Sequence, residues 1–213
     1  MKTRQEIKAQ AKAAMKQQWG LSIGAPLLWI VVVFVGGLLG MIPVLGILII
    51  YGSLFFIDFP MLTHLCSIFV KIYNGEKAEV GELFSGFHVN WMRKAGGMAW
   101  VYLWTMLWTL LFIIPGIVKG IAYSMTPYIL TDCPDVKATD AIKLSMRMTQ
   151  GHKMDLFIMY LSFLGWYILG LFTLNILNIV FTMPYAYTTM SGYYVELKQK
   201  AIDSGTISAD EFA

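Results

Sequence analysis

Long apolar runs separated by short basic segments constrain this chain more than any other feature. About 20 apolar residues are needed to cross roughly 30 Å of hydrocarbon, and runs of about that length recur between Gly20 and Val195. The chain has 213 residues, of which 57% are hydrophobic and 14% are charged, whereas a soluble domain has about a quarter charged residues. The sequence therefore predicts an all-α, polytopic transmembrane helical bundle, and we expect no separate soluble domain within it.

About six spans in three hairpins are expected from the positions of these runs. The predicted spans cover residues 20–39, 44–70, 97–114, 117–131, 154–174 and 179–195. The turns at 40–43 and 175–178 contain no Lys or Arg, whereas the N-terminus, 71–94, 132–153 and the tail all do. Since basic loops favour the cytoplasmic side, we expect both termini in the cytoplasm. The alternative is five spans, with 97–131 forming one broken helix.

The predicted organisation has an amphipathic interfacial helix at 1–19, a transmembrane bundle at 20–197 and a cytoplasmic tail at 198–213. In the first segment, basic residues recur every four positions on one helix face: Arg4, Lys8, Lys12 and Lys16. The opposite face is apolar: Ile7, Ala11, Ala14 and Met15. This pattern is typical of a helix in the plane of the lipid headgroups, where each basic residue contributes about 1 kcal/mol. We therefore expect the four cations to contact anionic lipid; a solvated charged face is the alternative.

A proline recurs in the returning helix of each predicted hairpin. The three are Pro60, Pro127 and Pro184, which lie 67 and 57 residues apart. Proline kinks a helix because it lacks a backbone donor and clashes with the preceding turn. Repeats in membrane folds often place a site where broken helices meet, so a threefold repeat is one interpretation. Chance is the other, because proline is common in transmembrane helices.

Asp58 is the strongest candidate for a functional residue, because it lies within an apolar span. A charged side chain there costs roughly 2.5–3.5 kcal/mol on insertion scales. Counted from Val44, Asp58 lies about 21 Å along the helix, and Thr63 and His64 follow one turn later. We expect these residues to form an intramembrane polar site for a proton, a cation or a lipid amine. The alternatives are an ion pair with Lys or Arg, or a span that ends at Pro60.

Sequence motifs for catalysis, metal binding and cofactor binding are not found. His64, His88 and His152 lack the spacing of metal ligands, and Cys66 and Cys133 are too far apart for a redox or metal motif. No phosphate loop, dinucleotide fingerprint or Gly-x-Ser-x-Gly sequence is present. We therefore expect no enzymatic activity, no metal, no cofactor and no nucleic-acid partner.

Several short stretches resemble one known family. They are Leu83-Phe84-Ser85-Gly86-Phe87, Ile114-Pro115-Gly116-Ile117, Ala141-Ile142-Lys143-Leu144-Ser145, Gly151-His152-Lys153, Leu161-Ser162-Phe163-Leu164-Gly165-Trp166 and Met183-Pro184-Tyr185. The chain resembles the bacterial membrane family known as domain of unknown function 975 over nearly its whole length, and least over 41–80. It is more distantly similar to the membrane portion of some glycerophosphodiester phosphodiesterases, but their catalytic barrel is absent. The first resemblance implies a multi-pass bundle in a bacterial plasma membrane and supplies no substrate.

The basic amphipathic segments favour a non-enzymatic membrane protein that binds or handles lipids or amphiphiles, or that regulates a membrane partner. The rival hypothesis is a small secondary transporter or channel that uses Asp58 and the kinked helices. Membrane lipids are the expected partners, together with a second copy of the chain or another membrane protein. Transport requires a polar path through the bundle, whereas lipid binding requires apolar grooves that open sideways.

Labelling of single introduced cysteines with a membrane-impermeant thiol reagent tests the topology. Three positions in or beside the outer turns should react from outside: Ile42, Val118 and Leu177. Three positions in the basic segments should react only after permeabilisation: Gln10, Gly81 and Lys143. External labelling at Lys143 would contradict the six-span arrangement.

Overall fold

The computed structural model describes residues 2–43, 45–85, 87 and 90–212, and every regular element in this part of the chain is helical. The long helices are α1 (Arg4–Gln17), α2 (Trp19–Leu39), α3 (Gly46–Asn74), α4 (Trp91–Leu111), α5 (Ile113–Asp132), α6 (Ala138–Met148), α7 (Lys153–Phe172) and α8 (Asn178–Thr182 continued by Met183–Asp203). Short helices cover Glu82–Ser85 and Ala209–Phe212. The predicted all-α bundle is confirmed. Residues 44 and 88, used in the sequence analysis, lie outside the described residues.

Local signals in the sequence account for several helix ends. At the start of α1, the Glu6 backbone N–H donates to Thr3 Oγ1 at 3.3 Å, and the Thr3 N–H donates to the Glu6 carboxylate at 2.7 Å. This reciprocal pair satisfies two backbone donors that a helix start leaves free. Helix α3 stops at Gly75, whose φ of 78° is a left-handed conformation that glycine adopts without strain.

Three helical hairpins form the bundle: α2 with α3, α4 with α5, and α7 with α8. Among the described residues, α2, α3, α5 and α7 are long and apolar enough to cross a membrane. Helix α4 and the main part of α8 each have 21 residues, but they are more polar. The charges lie at their ends, with Arg93 and Lys94 in α4 and Glu196 and Lys198 in α8. Six crossings therefore remain a prediction for the labelling experiment.

The second hairpin turns at Phe112, earlier than the predicted break at Pro115 and Gly116. Phe112 has an extended backbone (φ −154°, ψ 133°), and α5 begins at the next residue. Pro115 lies in the first turn of α5, where a missing N–H breaks no helical hydrogen bond. Helices α4 and α5 lie side by side, so 97–131 does not form one broken helix and this form of the five-span alternative is wrong. Val118 lies within α5, and Phe112 is the better position for an outer label.

Glycine allows α4 and α5 to approach closely. A Cβ atom on Gly116 would lie 2.7 Å from the Cα atom and 2.9 Å from the Cβ atom of Thr109. On Gly120, one turn later, it would meet only Thr105 Cγ2, at 3.7 Å. Such small residues promote helix association in membranes because they let two backbones approach. Gly116 therefore sets the separation of the two helices.

The apolar face of α1 packs against protein. Ile7, Ala11 and Met15 have no exposed surface, and α1 contacts both α3 and α8. A Cβ atom on Gly192 of α8 would lie 2.5 Å from the Tyr73 ring and 2.8 Å from Ile7 Cγ2. The predicted amphipathic helix is present, but α3 and α8 cover its apolar face, which is not open to lipid.

Gly116→Ala is expected to destabilise the protein, because the added methyl group would overlap the Thr109 backbone. Overpacking of this kind costs about 1–3 kcal/mol, so the thermal unfolding midpoint in detergent should fall. Gly120→Ala is the matched control: its methyl group has room, and alanine favours a helix over glycine. Its midpoint should be unchanged or higher. Equal midpoints for the two variants would contradict the close contact of α4 and α5.

Candidate functional site

Two of the three returning helices contain a π-helical turn directly before the proline. The turns cover Leu54–Asp58 in α3 and Asn178–Thr182 in α8, and end two residues before Pro60 and Pro184. In an α-helix, the proline ring would clash with the carbonyl group four residues earlier. A π turn widens the helix and makes room for the ring. The sequence predicts kinks at these two prolines, and the structure has a local widening of the helix directly before each of them.

The third returning helix, α5, breaks before Pro127. A short turn separates its segments Ile113–Tyr123 and Thr126–Asp132. After each of the three prolines, a threonine hydroxyl donates to the proline carbonyl oxygen: Thr63 to Pro60 at 2.8 Å, Thr131 to Pro127 at 3.3 Å and Thr188 to Pro184 at 2.7 Å. Each hydroxyl is thus satisfied within its own helix. Thr63 is accordingly part of the helical turn that follows Pro60 in α3.

A cavity of about 400 Å³ lies where the three returning helices meet. Its walls come from α3 (Leu62, Cys66), α5 (Gly120, Ser124, Pro127, Tyr128), α7 (Tyr160, Tyr167) and α8 (Met183, Ala186, Tyr187, Met190). The volume is in the range of roughly 300–1,000 Å³ that is typical of small-molecule sites. No charged side chain from the described part of the chain lines it. The polar groups of the wall are four phenol hydroxyls, one serine hydroxyl and one thiol.

Two tyrosines of α7 form the outer wall of this cavity, at the side of the bundle. Tyr160 and Tyr167 are seven residues apart and therefore lie on one face of the helix. They are 42% and 40% exposed, whereas Tyr128 on the inner wall is 3% exposed. The cavity therefore opens sideways, in the direction in which lipid surrounds a membrane protein.

Asp58 lies one turn from this cavity. It is 8% exposed, and its Oδ1 atom has no hydrogen-bond partner among the described residues. None of the ion pairs that those residues form includes it. Helix α3 continues through Pro60 to Asn74, so Asp58 lies inside the helix. Leu62, four residues later on the same face, lines the cavity. No ion pair among the described residues therefore accounts for Asp58, whereas a membrane span that ends at Pro60 stays an alternative.

His64 makes contacts that are separate from Asp58. Its Nδ1 atom is 3.0 Å from Ser85 Oγ, and its Nε2 atom is 2.7 Å from Lys94 Nζ. Burial lowers the pKa of Lys94, and the neighbouring Arg93 adds to this effect. The predicted polar site of Asp58, Thr63 and His64 is thus not assembled as one cluster. Thr63 bonds to its own helix, and His64 joins the first hairpin to the start of α4.

Lys8 differs from the other three cations predicted to contact anionic lipid. Its Nζ atom lies 2.7 Å from Ser162 Oγ and 4.2 Å from the centre of the Phe163 ring. Burial lowers the pKa of Lys8, with a smaller effect of Arg4. Lys8 therefore anchors α1 to α7. The exposed cations that remain for lipid contact are Arg4, Lys12 and Lys16.

The tyrosines of the cavity were not predicted as site residues. One signal was present, because Tyr160 and Tyr167 repeat at a helical interval of seven residues. Aromatic side chains that face lipid or the membrane interface have the same spacing, so the signal alone does not indicate a cavity. Lys94 was also missed, because its burial depends on the packing of α4 against α3.

A family model described as a protein of unknown function, DUF975, matches residues 92–201. The match covers just over half of the chain, from the first turn of α4 to the last turns of α8. It includes the second and third hairpins and all of the cavity wall except Leu62 and Cys66. No significant match is found among curated proteins or among solved structures, and the weaker likeness to glycerophosphodiester phosphodiesterases gains no support. The chain belongs to the DUF975 family of proteins of unknown function.

Proposed function

We propose that this membrane protein binds a lipid or another amphiphile in the cavity where the three returning helices meet. The observation that carries the proposal is the uncharged cavity of about 400 Å³ that opens to the side of the bundle. A ligand that enters from the bilayer needs no aqueous route to reach it. The apolar walls suit a hydrocarbon chain, and the phenol hydroxyls suit a hydroxyl, ester or amide group next to that chain.

Selectivity in such a site must come from shape and hydrogen bonds. A hydrocarbon chain that leaves the bilayer for an apolar cavity gains little hydrophobic free energy, since lipid tails are as apolar as leucine. One net hydrogen bond contributes about 0.5–1.5 kcal/mol. The hydroxyl groups of Tyr128, Tyr160, Tyr167 and Tyr187 therefore supply the means to distinguish one amphiphile from bulk lipid.

We further propose that the protein lies in the plasma membrane with both termini in the cytoplasm. The basic segments lie at the same ends of the apolar spans as the two termini, and basic segments favour the cytoplasmic side. We propose no enzymatic step, since binding alone accounts for a cavity with apolar walls and neutral hydroxyl groups. Exposed cations on α1 suit a surface next to anionic headgroups, which is the expected environment of that helix.

Ala186→Trp is designed to fill the cavity, because Ala186 lines it and the indole is much larger than a methyl group. Leu171→Trp is the matched control, since it places the same side chain at an exposed position of α7 (65% exposed) outside the cavity. Native mass spectrometry of protein extracted from membranes should show a retained amphiphile in the wild type and in L171W. Retention should be about tenfold lower in A186W.

If A186W does not fold, Ser124→Leu provides a smaller change in the same wall. Its thermal midpoint should stay near that of the wild type, and its retained amphiphile should decrease. Undiminished retention in a folded cavity variant would contradict the proposal.

A second candidate function is a secondary transporter or channel that uses Asp58. The buried carboxyl oxygen without a partner favours it, because an ionisable group inside a membrane is costly unless it serves a proton, a cation or a partner. The uncharged wall of the neighbouring cavity favours amphiphile binding instead. Transport is therefore the second proposal.

Substitutions of Asp58 test the second proposal. Asp58→Asn keeps the size of the side chain and removes its charge, so it should express normally and abolish proton or cation flux into proteoliposomes. Asp58→Leu removes a buried polar atom that lacks a partner, and it should leave the thermal midpoint unchanged or raise it. Two results would exclude a role of Asp58 in transport. One is a proton or cation flux in wild-type proteoliposomes no faster than in protein-free vesicles, and the other is a flux that survives in both variants.

A further inference from the structure

A second cavity lies towards the C-terminal end of α8, next to α6, the loop that follows α6, and the turn after α8. Its volume is about 430 Å³. Its polar lining consists of Arg147, Gln150, His152, Lys200, Ser204 and Thr206. No carboxylate from the described residues lines it. The wall therefore has two permanent positive charges, one of which, on Arg147, is paired with the Glu211 carboxylate.

Lys200 and His152 form one side of this second cavity. Lys200 Nζ lies 2.9 Å from His152 Nε2, and Asp155 Oδ2 lies 3.2 Å from His152 Nδ1. Because an ammonium group can only donate, Nε2 accepts its hydrogen bond and Nδ1 donates to Asp155. Asp155 thereby orients the ring from behind. Lys200 forms no ion pair with a carboxylate in the described part of the chain, and two of its three N–H donors remain for a ligand.

Arg147 forms the opposite side and holds the C-terminal turn in place. Its guanidinium group donates to the Glu211 carboxylate and, at 2.6 Å, to the Thr206 carbonyl oxygen. The hydrogen bond with Glu211 raises the pKa of Arg147, and the same contact lowers the pKa of Glu211. Arg147 is therefore a positioning residue, which keeps the hydroxyl groups of Ser204 and Thr206 at the rim.

We infer that this second cavity binds a phosphate group. The Lys200 ammonium group supplies the charge. Ser204 Oγ and Thr206 Oγ1 lie 2.7 Å apart, so one hydroxyl group donates to the other and one remains as a neutral donor for the ligand. Charge-assisted hydrogen bonds to phosphate oxygens are about twice as strong as neutral ones. The carboxylates of Asp155 and Glu211 are bound to His152 and Arg147 and do not line the wall. The phosphate belongs either to a lipid headgroup, since basic pockets between helices bind headgroups at the cytoplasmic surface, or to a soluble phosphate compound.

This site does not depend on the proposed amphiphile cavity. The two cavities share no lining residue. Along α8, Lys200 is ten residues beyond Met190, which corresponds to about 15 Å. A variant that fills the amphiphile cavity, such as A186W, should therefore leave phosphate binding unchanged. Failure of one site thus can be distinguished from failure of the other.

Lys200→Gln and Lys143→Gln are a matched pair for the test, because each removes one positive charge from an exposed lysine. Lys143 lies outside the cavity and pairs with Asp140 at 2.9 Å. Full-length protein in nanodiscs of zwitterionic lipid is titrated with inorganic phosphate in a calorimeter. Wild type and K143Q should bind phosphate with similar affinity. The affinity of K200Q should be about tenfold lower, as expected for one lost charge-assisted hydrogen bond.

A second arm distinguishes the two sources of phosphate. Nanodiscs that contain some phosphatidylglycerol are compared by native mass spectrometry for retained anionic lipid. Binding in either arm that K200Q weakens and K143Q preserves supports the site, and the arm that responds identifies the source. Lys200→Arg should retain binding, since it keeps the charge. Equal losses in K200Q and K143Q, or no binding in either arm by folded wild type, would overturn the inference.

Discussion

Accommodating a proline inside an apolar helix is the requirement on which the rest of this structure depends. In hydrocarbon, a backbone group without a hydrogen-bond partner costs several kcal/mol, so the chain must adjust locally. Two returning helices widen into π turns, at Leu54–Asp58 and Asn178–Thr182, and the third breaks before Pro127. Helices that widen or break cannot pack against each other with uniform contact. The cavity lined by Pro127 and Met183 is the space that results.

Close packing elsewhere holds the walls of that space in place. Helix α8 contributes four of the lining residues, and α1 presses against its other side through Ile7 and Gly192. Between α4 and α5, a Cβ atom on Gly97 would lie 2.9 Å from Leu130 Cδ1. The guanidinium group of Arg93 donates to the Leu130 carbonyl oxygen at 2.5 Å. The bundle is therefore tightly joined around a loosely packed centre, which is the arrangement that a preformed binding site needs.

Fold class and hairpin number could be predicted from sequence because the bilayer imposes a strict rule on length and hydropathy. A local irregularity of the helix near each proline could also be predicted, since proline acts locally. The turn of the second hairpin was misplaced, because Pro115-Gly116 is a common turn signal and also fits the first turn of a helix. The covered face of α1 was not predictable, because an apolar stripe packs equally well on lipid and on protein. The cavity depends on side chains from four helices, and local sequence patterns do not contain that information.

The two cavities share α8 but differ in charge, and their separation follows from the residues between them. Tyr194 stacks on Tyr128 with ring centres 5.1 Å apart, and its hydroxyl donates to Asp132 at 2.6 Å. A molecule that occupied both cavities at once would have to displace this stack and break that hydrogen bond. Tyr128 also lines the amphiphile cavity, whereas neither tyrosine of this pair lines the cavity that contains Lys200. Coupling between the cavities therefore requires that both ligands favour the same position of this tyrosine pair, because coupling free energy arises only from a difference between two states.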